Sequence, residues 1–393
     1  MALHTVVQDP PVQTPAVDVF RPPVQMRVAG IDLMSVRSRI VVLFLLTWPP
    51  LLVLTTMSGV ASGSGVGVPL LYDFVVSVRF LIAVPLVVYA DALIRARATD
   101  LCRYLVVSGI VAETRRAAFE ELAARFARRR DSHLARAVIA VVVVFTTAFL
   151  RFEFSGDLST WQFVATAAVP TRSAAGWWYL FVSVPVFQWL FGVGLWRYAV
   201  WCWFLLKVSR LALVLVPTHP DRSAGLTMVG NVHQYYAMFA CALSAIVSAH
   251  IGLELLKGGQ SLAAFQLQAG GLLILATIGL LLPLLAFTPG LISARKQGLM
   301  QYGVLAADYT RTFHRKWIDG PDPAGGPLLG SADIQSLADL AGSFEVVQQT
   351  RIVPFGLRTV ITILVWTVVP FTPLVFAVFS PIEVVKGLLK ILL

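Results

Sequence analysis

The chain has 393 residues, 57% of them hydrophobic and only 13% charged, with a net charge of +10 and a mean hydropathy of +0.77. A soluble domain of this length needs about a quarter of its residues charged to cover its surface, so a soluble globular protein is excluded. Apolar runs of about 20 residues recur, each long enough to cross a hydrocarbon core of about 30 Å as a helix. They predict an all-α, polytopic helical membrane protein.

The first 37 residues are rich in Pro and polar side chains and lack an apolar core behind a basic start. They read as a flexible cytoplasmic tail rather than a signal peptide, and the first span then acts as an uncleaved insertion signal. Seven spans follow, at about 38–58, 74–94, 134–154, 177–207, 229–254, 270–292 and 355–379. The chain therefore divides into spans one and two (38–94), a helical segment (95–133), spans three to six (134–292) with an elbow at 218–226, a second helical segment (293–352), and the last span with an amphipathic tail (353–393).

Arg and Lys crowd 95–133 and 293–352, whereas "SGVASGSGVGVPLLYD" and "KGGQSLAAFQLQ" carry almost no basic charge. By the positive-inside rule the N-terminus and both long segments are cytoplasmic. The basic residues border spans and set topology, so the high charge implies anionic lipid contacts at the basic segments and not nucleic acid. Within 114–130, Phe119, Leu122 and Phe126 recur at helical spacing. In the second segment Ser331 can cap a helix favoured by Asp333. Its stripe is Ile334, Leu337, Ala341, Phe344 and Val347, following a turn-rich break at 319–330. The two segments are expected to pack together as a small bundle, open to a cytoplasmic protein partner or a second copy of the chain.

Residues 84–97, "VPLVVYADALIRAR", align without gaps to 282–295, "LPLLAFTPGLISAR". This suggests a three-span unit repeated, in parallel orientation, around a central fourth span, a form of symmetry frequent in transporters.

Ionisable side chains inside a bilayer are costly and face the protein interior or water. The candidates among those within the spans are Arg79, Asp91, Arg197, His233, His250 and Glu254. By depth, Arg79 can meet Glu254 or Glu153, and Arg197 can meet Asp91 or His233. His250 and Glu254, four apart, share a helix face. Arg197 lies too deep to snorkel easily. Trp196, Tyr198, Trp201 and Trp203 flank it, so cation–π packing is expected. Pro185 and the Gly192/Gly194 pair permit a kink or a close helix approach.

The elbow "THPDRSAGL" joins spans four and five. Asp221 or Ser223 can cap the fifth helix. His219, Asp221, Arg222 and Gly225 at a helix N-terminus form a candidate anion site, a structural turn being the competing reading. Together with "SADIQSLADLAGSFEVVQQTR", the elbow resembles an uncharacterised group of bacterial polytopic inner-membrane proteins carrying an HPDR-x-x-Gly-Leu turn. That resemblance implies a bacterial inner-membrane location and an architecture, but no chemistry. This chain has Ser223-Ala224-Gly225 where a more glycine-rich run is expected.

Cys102, Cys202 and Cys241 form no disulfide framework or paired ligand motif. No phosphate loop, zinc-protease motif, nucleophile elbow or Cys-x-x-Cys pair occurs. No catalytic residue, metal or cofactor is assigned. The sequence is best read as a channel or secondary transporter for a small ion or solute. The alternative is a membrane-anchored scaffold binding an anionic ligand or partner at the elbow.

Overall fold

The computed structural model describes residues 35–63, 66–152, 160–164, 171–257, 261–320 and 332–374. Glu153, residues 1–34, most of the turn-rich break and the tail beyond 374 lie outside them. Among the described residues, seven helical stretches are long and apolar enough to cross a membrane: Val36–Met57, Phe74–Val107, Glu113–Leu150, Ala174–Val208, Thr227–Leu256, Leu262–Trp317 and Leu357–Leu374. The chain is an all-α, multi-pass integral membrane protein. Lipid-exposed backbone must bond internally, which is why helices carry the crossings.

Span one is α1 (Val36–Thr47) and α2 (Pro49–Met57), joined at Trp48 because Pro49 and Pro50 begin a new helix. Span two is α3 (Phe74–Val78), a wide five-residue turn at Arg79–Ala83, and α4 (Val84–Val107). In that turn the Val84 amide bonds back to the Arg79 carbonyl, a π-helical step. Pro85 lacks an amide and would strike a preceding carbonyl in a regular helix; the wider turn accommodates it. A hundred residues on, the arrangement recurs. Span three is α6 (His133–Phe152), preceded by the amphipathic α5 (Glu113–Arg130). Span four is α7 (Ala174–Trp178), a π-helical turn at Tyr179–Ser183, and α8 (Val184–Val208), with Pro185 in the place of Pro85.

The fifth span comprises α9 (Thr227–His233), a tight turn, and α10 (Ala237–Leu256). The sixth is α11 (Gln266–Leu281), a tight 3₁₀ stretch at Leu282–Phe287 around Pro283, and α12 (Thr288–Trp317). Its 30 residues run about 45 Å at 1.5 Å each, well past the membrane. Next, α13 (Ala332–Gln348) folds back along α12, and α14 (Leu357–Val368) packs on α10 and α11. A turn at a proline thus recurs in the second, fourth and sixth spans, π-helical in the first two and 3₁₀ in the third, a two-span spacing shorter than the three-span unit expected. Arg97, Arg197 and Arg295 each follow Pro85, Pro185 and Pro283 by twelve residues.

The first two hairpins meet face to face. Arg79 donates to the Tyr179 hydroxyl at 2.6 Å, joining the opening residues of the two π-helical turns. The fully buried Trp161 locks their ends. Its indole donates to Asp73, which caps α3, and its carbonyl accepts from Ser173, which caps α7. A two-stranded antiparallel ribbon, β1 (Phe163–Val164) with β2 (Thr171–Arg172), lies at this end.

The opposite end, carrying the elbow and α5, is the basic end. There the expected single bundle is replaced by two separate packings. Phe119 and Phe126 of α5 pack on Trp201 and Phe204 of α8 within the main core, whereas α13 packs on α12. The physical reason is local: α5 finds an aromatic end of α8 directly above it. Asp333 of α13 meets Lys316 at 2.7 Å and Trp317 at 3.1 Å on α12.

Candidate functional site

The basic-end cavity has a volume of about 540 Å³ and lies among α1, α4, α6 and α8. Arg197 reaches it from α8. Its guanidinium meets Asp91 of α4 at 2.5 Å and Asp131, in the α5–α6 turn, at 3.8 Å. Asp91 also pairs with Arg95 at 2.9 Å, and Asp131 with Arg130 at 2.6 Å and Arg136 at 3.6 Å. Arg39 and His133 line the mouth. Four guanidinium groups thus share two carboxylates, and the surroundings are positive. The Asp91 pairing is one the sequence anticipated. Asp131, Arg39, His133 and Arg136 were missed, because residues at span ends read as topology signals.

Along α8 the lining residues run from Trp189 to Arg197, with Leu190 joined by Val87 and Phe239 from neighbouring helices. Gly194 permits this: a Cβ there would lie 2.3 Å from the Phe239 ring, so α8 and α10 meet only because the side chain is absent. A second cavity of about 360 Å³ is lined by Gln188, Phe187 and Tyr179 of span four with Arg79 and Arg172. Arg79 lies over the Phe187 ring at 5.4 Å, and Arg172 donates to the Leu150 carbonyl at 2.8 Å. Tyr179 to Arg197 spans eighteen steps, about 27 Å of helix, nearly the hydrocarbon thickness of about 30 Å. The lining residues of the two cavities thus follow one another along span four, Tyr179 to Gln188 and then Trp189 to Arg197. Phe187, which lines the second cavity, and Leu190, which lines the first, pack with Ala83, Val87 and Phe239, and Gln188 accepts from Thr146 of α6 at 3.1 Å.

Among the described residues Arg79, Glu254 and His233 take other partners than those expected. Arg79 meets Tyr179 in place of Glu254, since Glu254 pairs with Lys257 at 3.0 Å on its own helix. His250 is exposed on α10. His233 is completely buried, accepts from the Trp201 indole at 3.1 Å, and sits against Tyr198 and Tyr236, away from Arg197. The rings flanking Arg197 in sequence take other partners. Trp196 donates to the Arg129 carbonyl, Trp203 lies 4.2 Å from the Arg129 guanidinium carbon, and Tyr198 donates to the Gly279 carbonyl.

The elbow is built around Asp221. Its carboxylate accepts from the amides of Ser223 at 2.8 Å, Gly225 at 3.0 Å and Thr227 at 3.0 Å. The chain wraps this closely by placing Arg222, Ala224 and Gly225 at positive φ, of which only glycine adopts that region freely. His219 Nδ1 lies 2.9 Å from Asp221 Oδ1 and 3.2 Å from the Asp221 amide. Nδ1 accepts from the amide when it carries no hydrogen and donates to the carboxylate when it carries one. Burial opposes ionisation of Asp221, but the three amides and His219 outweigh it and hold the carboxyl below the usual carboxylate range. The elbow is clamped by the chain following α13. Arg351 donates to the Asp221 carbonyl at 2.6 Å, its amide donates to the Arg222 carbonyl at 2.8 Å, and Thr350 donates to Pro217 at 2.9 Å. Tyr104 donates to the Gly225 carbonyl from the other side. The anion suggested for this helix start is thus Asp221 itself. The Arg222 side chain is exposed.

Among the described residues no cluster of His, Cys, Asp and Glu suits a metal ion. No family model, curated protein sequence or solved structure matches the chain.

Proposed function

We infer that the protein is a secondary carrier for an anion in a bacterial inner membrane, with its basic end in the cytoplasm. The observation that supports this best is the pair of Arg-bearing cavities whose lining residues follow one another along span four, with Phe187 and Leu190 packed where the two sets meet, which we read as a septum. Guanidinium groups in a low-dielectric cavity attract anions strongly. Parallel hairpin repeats facing one another supply two bodies that can rock about a septum. Asp91 acts as an internal anion that keeps Arg197 occupied between turnovers and yields to the substrate. The inner-membrane location and the sidedness rest on the positive-inside rule and on the resemblance of the HPDR elbow. The scaffold reading has less support, because Asp221 already fills the amide donors that an anionic ligand at the elbow would need.

The test is uptake of radiolabelled phosphate, acetate and a longer-chain carboxylate into proteoliposomes. At least one is taken up above the level of protein-free vesicles. Arg197→Gln and Arg79→Gln each lower that uptake by about tenfold, the effect of about 1.4 kcal/mol. Uptake of all three at the level of empty vesicles refutes the reading.

A further inference from the structure

The basic-end cavity has two kinds of wall and a side that faces lipid. Arg39, Arg136 and Arg197, with His133, stand at its basic-end mouth, and Asp91 is the single carboxylate among the lining residues. Deeper in, Leu43, Ala137, Ala140, Leu190 and Val193 leave an apolar channel. Helix α1 packs on α4 and α6 packs on α8, so α1 and α6 flank the cavity as its two rims. The α6 rim carries small residues: Ala137 lines the cavity and is itself exposed. Its neighbours outside are lipid-facing, with Val138 54% and Val141 68% exposed, as are Val41 at 52% and Leu45 at 55% on α1. The opening between the rims is therefore flanked by exposed apolar side chains, with the guanidinium groups toward the basic end of the cavity.

We propose that this cavity takes a single-chain anionic amphiphile directly from the bilayer, its head on Arg39, Arg136 and Arg197 and its chain in the Leu43–Ala137–Ala140 slit. This names the substrate class of the carrier and rests on that reading for transport, though not for binding. A cavity of about 540 Å³ falls within the range of about 300–1,000 Å³ usual for small-molecule sites. The chain passes from one apolar medium to another and gains little, so head charge provides the selectivity.

The experiment uses the full-length protein in nanodiscs of neutral phosphatidylcholine, doped with a long-chain carboxylate bearing a mid-chain diazirine. After photolysis, adducts are mapped by mass spectrometry. Adducts are expected on Leu43, Ala137 or Ala140. The uncharged methyl ester gives at least about tenfold less labelling, the ratio equal to about 1.4 kcal/mol of head recognition. Arg197→Gln lowers labelling similarly. Ala140→Trp, which fills the slit, abolishes it, and the smaller Ala137→Leu reduces it should the tryptophan variant not fold. Equal labelling by acid and ester, or adducts confined to other surfaces, overturns the proposal. So does labelling that is abolished by an excess of inorganic phosphate, which assigns the site to a water-borne anion. The two readings fail separately. Phosphate or acetate uptake that depends on Arg197, without slit adducts, removes the amphiphile and keeps the carrier. Slit adducts with no uptake of any anion do the reverse.

Discussion

Replacing Asp221 by alanine separates a structural elbow from a ligand site. The substitution deprives the amides of Ser223, Gly225 and Thr227 of their acceptor at once. A hydrogen bond to a charged group contributes about 1.5–3 kcal/mol net. The Asp221 side chain is 17% exposed, so water recovers part of the loss, and the total is about 3–4 kcal/mol for three such bonds. That corresponds to a fall of about 4–5 °C in the melting temperature of a chain this size, read by thermal unfolding in detergent. Asp221→Asn retains one oxygen for Ser223 and Gly225 but sets its amide group against Thr227, and loses about half as much. An alanine variant melting within a degree or two of the native protein would refute the reasoning. Its amides would then have found other partners, and the elbow would not depend on this carboxylate.

The depressed Asp221 carboxyl also sets a pH dependence. A carboxyl with a folded pKa below its unfolded value, about 3.9, stabilises fully above that value and loses its contribution as pH falls through the folded pKa. The gap in stability between native protein and Asp221→Asn should therefore be constant near neutrality and shrink in acid. A gap that widens on acidification contradicts the assignment. Asp91→Asn removes the carboxylate competing for Arg197, so it should tighten anion binding by about tenfold, equal to about 1.4 kcal/mol, while lowering thermal stability; weaker binding in a folded variant would show that Asp91 helps to hold the substrate. Gly194→Leu should push α8 from Phe239, lowering the melting temperature by more than Gly192→Leu, whose neighbour is the side chain of Ile139 alone.

The spans were legible because hydropathy accumulates over about 20 residues, and no single side chain decides the outcome. The Arg197–Asp91 pair was legible for a related reason: two opposite charges at one depth have few other partners. Pairings across hairpins were not. Arg79 turned to Tyr179 because two π-helical turns face each other, a geometry set by tertiary packing. The second copy of the Pro-to-Arg spacing went unread because the Trp, Phe and Gly residues of 186–196 mask its likeness to 86–96. At the elbow, composition signalled a turn, but two non-glycine residues at positive φ, Arg222 and Ala224, carry no local signal. Their placement is what lets Asp221 reach three amides. The septum is equally silent in sequence, since Phe187 and Leu190 look like any other lipid-facing pair until α4 and α10 are set beside them.

The central claim is that the two cavities are the halves of one path, closed between Phe187 and Leu190. It is tested most directly by two-sided thiol labelling in proteoliposomes, with Cys102, Cys202 and Cys241 replaced by alanine. Val193→Cys lines the basic-end cavity and Val184→Cys the other. A charged, membrane-impermeant thiol reagent should modify Val193→Cys from the basic end alone and Val184→Cys from the opposite end alone. Modification of both from the same end, or of neither from any, would contradict the account.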